Sequence, residues 1–389
     1  MKKLLLLASL LLLLWIPAVR AEPPAADLTK RCTITATQNK KTVSHMTNDR
    51  IRSLWDGGKD GTLTVVLPED LKAQGVQMTF FCEPPALTIT AADGTVLADW
   101  RESFYTAWIP FSQPANQFTI ARPEGGDLLV SRLKVMGEGV LPEWVQQWRR
   151  MEPGTAEMLM IVTHPDDDLL WFGGLLPTYA GELGKRVQVA YMVARNNRER
   201  RVELLDALWH CGVEAYPEIG AFLDKGVYSI KAAYFKWGGE EAVDQHITRL
   251  IRKWQPQVVV TQDVNGEYGH VHHKIMARSV VRCVTELCGS EDWDPESAAE
   301  WGLAHPQKLY VHLGDKNLIT MDWEKPLSRF GGKTSLDVAR EAFKLHISQQ
   351  KGKYHISLKN ATRCDLFSLC YTTVGEDSGI GDLFEHVEP

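Results

Sequence analysis

Apolar and polar positions follow two rhythms along the chain. Up to about Gly139, short strand-like runs alternate with turn residues. The runs are Thr62–Leu67, Val76–Cys82, Leu87–Thr90, Gln117–Ala121 and Leu128–Val135. The turns are Asp56-Gly57-Gly58, Asp60-Gly61 and Asp93-Gly94. This spacing predicts an all-β sandwich. The segment Glu143 to Arg150 reads as a helical linker, and Glu152-Pro153-Gly154 as a boundary.

From Thr155 strands and helices alternate. Strand Met158–Val162 precedes a helix from about Leu169 to Leu183, and strand Val187–Val193 a helix from about Glu199 to His210. A helix from Glu240 to Lys253 leads into strand Val258–Gln262, after which Ile275, Met276, Ser279, Val280, Cys283, Val284 and Leu287 recur at helical spacing. Strand Leu309–Leu313 and a helix from about Ser335 to Gln349 follow. The class expected is α/β: a Rossmann-like, mostly parallel sheet with helices on both faces, preceded by the sandwich.

The N-terminus reads differently. Lys2 and Lys3 precede an apolar stretch from Leu4 to Ile16, and Val19-Arg20-Ala21 offers a cleavage site, so residues 1–21 read as a bacterial signal peptide. The stretch falls short of the about 20 residues of a spanning helix. The expected organisation is leader 1–21, sandwich 22–140, linker 141–154 and α/β domain 155–389, in a periplasmic or secreted protein with no stable membrane span after cleavage. The length of 389 residues suits two domains. The net charge of −6 is spread without a basic stripe, which argues against nucleic acid as a partner. Of the seven cysteines, Cys32–Cys82 and Cys364–Cys370 are candidate bridges, and Cys211 reads as a buried small apolar residue. Without a Cys-x-x-Cys pair, a thiolate zinc site is not expected.

The chemistry concentrates at two strand ends. His164-Pro165-Asp166-Asp167-Asp168 ends the run Met158–Val162, and Gly269-His270-Val271-His272-His273 follows Val258–Val260. In open α/β sheets, active sites form at the carboxyl ends of strands. A hydrolytic zinc site takes three protein ligands and keeps one position for water. His164, an aspartate of the triplet and a histidine of the second segment could supply them. A spare aspartate would take a proton from water, and a spare histidine would meet an oxyanion. Asp168 could instead cap the following helix.

The segment Ile161–Asp168 resembles the His-Pro-Asp-Asp signature of the PIG-L (LmbE-like) family of zinc-dependent de-N-acetylases, and Val260–His273 resembles that family's second motif. Arg200-Arg201-Val202-Glu203 is similar to its Arg-x-x-Glu helix. The resemblance implies His164, Asp167 and His273 as zinc ligands, with His272 in place of His273 as an alternative and another divalent metal in place of zinc. It implies Asp166 as general base and His270 as the group polarising the acetyl carbonyl. Arg200 would lie near the sugar or pair with Glu203, and His346 would line the site. Two positions depart from the pattern: Asp168 stands where Glu is frequent, and His272 where Asp is common.

The succession Asn48–Gly57, the strands, and Leu133–Gly137 resembles discoidin-like (galactose-binding-like) sandwiches. That resemblance offers Trp55, Trp100, Tyr105 and Trp108 as sugar-stacking rings, with sandwich core as the other reading; the domain would bind glycan or act as a spacer. The aromatic-rich connection from Glu214 to Gly239 is a further candidate for sugar contact. Three functions compete: an exported deacetylase of an N-acetylglucosamine-type sugar in a glycan or glycoconjugate, a hydrolase of another amide or ester, and an inactive glycan-binding protein.

Overall fold

The computed structural model describes residues 22–123, 126–379 and 381–388; the expected leader, 1–21, lies outside them. The N-terminal strands are β1 (Thr33–Ala36), β2 (Trp55–Asp56), β3 (Leu63–Val66), β4 (Ala73–Phe80), β5 (Leu87–Ala91), β6 (Val96–Trp100), β7 (Thr106–Ala115), β8 (Gln117–Ala121) and β9 (Leu129–Gly137). They form two antiparallel sheets, in the orders β1-β3-β8-β5-β6 and β2-β9-β4-β7. Strand alternation explains how both sheets share one core. Val76, Met78 and Phe80 of β4 join Leu63, Val65, Ile89, Phe118 and Ile120 of the other sheet in one apolar cluster. Gln77 and Thr79 point the opposite way yet are also buried, because the rest of the chain covers that face. There the Gln77 Oε1 accepts the Gln146 N–H at 2.6 Å.

That contact corrects the linker. Residues 141–150 form no helix. Val145 and Trp148 are buried, the Trp148 indole donates to Gln146 Oε1 (2.8 Å), and Gln146 Nε2 donates to Asp206. Side chains that must reach opposite walls of an interface cannot follow a helical stripe. Three of the four candidate rings take the core reading: Trp55 is 0% exposed, and Tyr105 and Trp108 are each 8% exposed. Trp55 fills the core, and Trp108 packs with Ala25, Met136 and Val145. Trp100 stays half-buried, its indole N–H donating to the Glu102 carbonyl at 3.0 Å.

The second part is a mixed sheet of β10 (Met158–Val162), β11 (Val187–Tyr191), β12 (Glu218–Ile219), β13 (Val258–Thr261), β14 (Lys308–His312), β15 (Leu318–Thr320) and β16 (Leu366–Thr372). Its order is β12-β11-β10-β13-β14-β16-β15. β10 to β14 pair in parallel, and β16 runs antiparallel to β14 and β15. Met158, Met160 and Val162 of β10 pack into a cluster with Leu204, Leu205 and Leu208, whereas Leu159 and Ile161 pack with Ile247, Ile251, Ile275 and Met276. Both faces are therefore covered, which is why these strands read as unbroken apolar runs. The helices are α1 (Asp167–Leu170), α2 (Arg198–His210), α3 (Ile230–Lys236), α4 (Glu240–Trp254), α5 (Val271–Arg282), α6 (Pro295–Trp301) and α7 (Ser335–Phe343).

One predicted helix is interrupted, resuming as a π-helical segment over Pro177–Glu182, and another is shorter than expected. The one after β10 breaks at Gly173 (φ +52°), where a Cβ would lie 2.6 Å from Cys364 Sγ, and at Gly174 it would lie 2.3 Å from Ser335 Oγ. Close packing of α7 and its neighbours thus overrides the periodicity. α7 itself ends at Phe343, so His346 sits on the turn after it. Neither candidate disulfide forms: all seven cysteines are free. Cys364 is buried, while Cys370 is exposed on extended β16. At ~3.3 Å of rise per residue, that strand carries them beyond the ~7 Å limit for a bridge.

Candidate metal centre

The strand order reverses around β10: the chain goes outward to β11 and β12, then returns to the other side for β13 and β14. Such a switch point leaves a crevice at the carboxyl ends of the two central strands. The turn after β10 carries His164 to Asp168, and the segment after β13 carries His270 to His273, so the topology brings the two motifs together.

Three donor atoms converge there. His164 Nδ1 lies 3.0 Å from Asp167 Oδ2 and 3.1 Å from His273 Nε2, and the last two are 3.3 Å apart. Donors of a tetrahedral zinc at ~2.0–2.2 Å sit about 3.3–3.6 Å from one another, slightly wider than this triangle. Local structure aims each one. Asp167 Oδ2 accepts the His164 backbone N–H (2.6 Å), and the Trp171 indole, one helical turn on, holds Oδ1 at 2.8 Å. His273 Nδ1 faces Glu267 Oε2 at 2.7 Å, which leaves Nε2 for the cluster. Asp224 Oδ1 stands 3.4 Å from His164 Nε2, on the far side of the ring from Nδ1.

The electrostatics favour positive charge at this point. Burial opposes ionisation of His273, yet the Asp167 and Glu267 carboxylates outweigh it and push the ring up to about 10. The His273 and His164 rings hold Asp167 well below the usual carboxylate range against its burial. An arrangement that binds protons this firmly offers the same charge to a divalent cation, with which protons compete. Two imidazole nitrogens and one carboxylate oxygen are a zinc-type donor set. A second set, His164, His270 and His272, shares one ligand but has no carboxylate. Burial pushes His270 down to about 3 and His272 to about 4, and the His272 ring is stacked on Trp237 (4.9 Å).

The remaining predicted residues border the triangle. Asp166 adopts φ 107°, a backbone conformation costing about 1–3 kcal/mol that is stored mainly at functional sites. Burial pushes its carboxyl up despite the adjoining Arg200 guanidinium. Arg200 therefore pairs with Asp166 and approaches Asp224 (3.7 Å), not Glu203, which accepts from Ser348. The His270 ring is 4.9 Å from that of His164, and its Nδ1 has no hydrogen-bond partner among the described residues. His346 is buried with neither ring nitrogen partnered among the described residues, and burial and then Arg200 push it down to about 3. Asp168 is not the helix cap: it lies inside α1, its Oδ1 accepting the Asp166 N–H at 3.2 Å. Of the aromatic connection, Trp237 stacks on Phe222 (4.9 Å) as well as on His272, which makes it packing beneath the site.

Four residues were missed from the sequence: Trp171, Asp224, Glu267 and His312. The Glu267 carboxylate bridges His273 and His312, whose Nδ1 is 2.8 Å from Oε1. Burial works against its charge, but these two rings hold it at about 2. Trp171 follows Asp167 by one helical turn, a readable signal; His312 ends β14, as the two motifs end β10 and β13.

Residues 159–284 match the family model PIG-L, GlcNAc-PI de-N-acetylase. This match contains the whole triangle. Among curated relatives, the 1D-myo-inositol 2-acetamido-2-deoxy-alpha-D-glucopyranoside deacetylase 1 of Catenulispora acidiphila is 31% identical over 188 residues, 41% of this chain and 56% of that protein. Its counterpart in Rhodococcus opacus is 32% identical over 201 residues, 45% of this chain and 65% of that protein. The chain thus spans 56% and 65% of the length of these two relatives. Among solved structures, the N,N'-diacetylchitobiose deacetylase of Pyrococcus horikoshii is similar at 16% identity and a TM-score of 0.37, over 50% of this chain and 71% of that one.

Proposed function

We propose that this chain is an exported, metal-dependent hydrolase that removes the acetyl group from an N-acetylglucosamine-type sugar in a glycan or glycoconjugate. The observation that carries the reading is the buried triangle of His164 Nδ1, Asp167 Oδ2 and His273 Nε2, with Asp166 and His270 beside it. The PIG-L match and the deacetylase names of the relatives support the choice of bond.

A divalent metal held by those three residues, zinc by the donor set, would polarise the acetamide carbonyl and acidify water. Asp166 takes one proton from the attacking water as its oxygen bonds to the carbonyl carbon. The His270 ring N–H donates to the oxygen of the carbonyl as it gains charge. The carbon–nitrogen bond then breaks, and Asp166 returns its proton to the leaving nitrogen, giving acetate and a free amino sugar. Arg200 holds the Asp166 carboxylate in place and reaches towards Asp224 with its other terminal nitrogen (3.7 Å), and the buried His346 lies behind it.

We read residues 22–140 as a discoidin-like sandwich whose aromatic rings are spent on packing, so that it serves as a wall and spacer for 155–389 rather than through Trp55, Tyr105 or Trp108. Export rests on the leader-like residues 1–21; the N-terminal sequence of the mature protein from periplasm or medium tests it. The activity is tested by measuring acetate released from a panel of N-acetylated glycans and, separately, from acyl esters, before and after chelation. Acetate from the glycans alone, lost on chelation and restored by zinc, supports the reading; hydrolysis of esters alone overturns the choice of bond.

A further inference from the structure

Glu267 is 0% exposed, and among the described residues no lysine or arginine bonds to it. A carboxylate in such a place is costly unless its charge is compensated and its lone pairs are filled. Here all are filled: by His273 Nδ1 (2.7 Å), His312 Nδ1 (2.8 Å), the Asp263 N–H (3.1 Å) and Gln262 Nε2 (3.4 Å). Gln262 is itself fixed, since its Oε1 accepts the Thr163 N–H at 2.8 Å. The backbone is shaped for this contact. Gly266 has φ +69°, and a Cβ there would meet the His270 carbonyl at 2.4 Å, so the turn that swings Glu267 inward needs glycine.

The charge is compensated by His312. Its Nε2 faces the Arg363 carbonyl at 3.0 Å, and its Nδ1 faces Glu267. A carbonyl can only accept, so Nε2 carries a hydrogen. Nδ1 and Oε1, at 2.8 Å, must then hold another proton between them, because two bare lone pairs would repel. Whichever atom carries it, the pair is neutral overall.

We propose that Glu267 and His312 form a buried neutral pair that fixes the ring of His273 with its Nδ1 protonated and its Nε2 free to bind metal. Both are positioning residues: neither touches the metal, and His312 acts through Glu267. The inference rests on the metal reading of the triangle. It links the ends of three neighbouring strands, β10, β13 and β14, into one device.

The test uses the full chain, stripped of metal and titrated with zinc against a chromophoric chelator. Glu267→Gln keeps the shape and removes the charge, and zinc should bind 10–100-fold more weakly, the range for outer-shell partners. His312→Gln should weaken it less, and the double variant should be no worse than Glu267→Gln alone. Ring-nitrogen NMR of the unaltered protein is a second measurement that does not depend on a variant folding. It should show Nε2 of His312 protonated, a further proton shared between its Nδ1 and Glu267, and, with zinc bound, only Nδ1 of His273 protonated. Unchanged zinc affinity in both single variants with only a lower melting temperature overturns the proposal, as does a bare Nε2 on His312. If the unaltered protein binds no zinc, or His273→Ala binds it as tightly, the metal reading itself fails. If binding needs His273 but not Glu267, the inference alone fails.

Discussion

Removal of the Arg201 guanidinium should uncouple the two parts of the chain. Arg201 is 3% exposed, lies with its guanidinium carbon 3.7 Å from the centre of the Tyr105 ring, and donates to the Phe81 carbonyl at 2.5 Å and to the Arg195 carbonyl. Beside it, the Tyr216 hydroxyl accepts the Tyr105 N–H at 2.8 Å, and the Tyr216 ring stacks on Phe104 (4.3 Å). Arg201→Met keeps the length of the stem and deletes the charge. A desolvated cation–π contact contributes about 2 kcal/mol, and each buried carbonyl left without its charged donor costs about 1–3 kcal/mol. With one ring contact and two carbonyls the sum is about 4–8 kcal/mol, at the exceptional end for one substitution. Equilibrium urea unfolding, followed by tryptophan fluorescence and by far-ultraviolet dichroism, reads it. The unaltered protein should unfold in one coincident transition, and the variant in two, with the α/β part retaining its own midpoint. A loss below about 1 kcal/mol with coincident transitions would refute the view that this cation ties the parts together.

Three further outcomes follow from the structure. Thiol titration in denaturant without reductant should count seven reactive cysteines; five would reveal a bridge. Asp294, held at about 2 by Arg249, has a folded value below its usual one, so its stabilisation is full above about pH 4 and is lost as pH falls towards 2. Asp294→Asn should remove that dependence, worth about 1 kcal/mol after screening at the half-exposed Arg249, and acid-titrated melting curves of the two proteins that stay parallel down to pH 2 would exclude the pair. Asp224→Asn should weaken zinc binding about tenfold by loosening His164, at the low end of outer-shell effects because Asp224 is 43% exposed and 3.4 Å away. Equal affinities by chelator competition would make Asp224 a surface charge only.

Legibility from the sequence followed the physics of each element. The parallel strands Met158–Val162 and Val258–Thr261 were readable because strands buried on both faces must be apolar throughout. Helix α2 was readable to within a residue, with Asn197 capping Arg200 N–H at 3.3 Å. Edge and half-exposed strands such as Val96–Trp100, and the long β7 with Pro110 in it, carried too weak an alternation to be read. The linker and the glycine-broken segment after α1 failed for a different reason. Their paths are set by what they pack against, Asp206 and Gln77 in one case and Ser335 and Cys364 in the other, and such partners are distant in sequence. The site divides in the same way. His164, Asp167 and His273 stood within two short segments, whereas Asp224 and His312 reach it from 60 and 148 residues beyond His164 and offer no spacing signal.

The central claim is that His164, Asp167 and His273 together hold a metal. Anomalous diffraction at the zinc edge from crystals of the zinc-loaded protein tests it most directly. One peak is expected about 2.0–2.2 Å from His164 Nδ1, Asp167 Oδ2 and His273 Nε2. A peak among His164, His270 and His272, or no peak at either place, would contradict it.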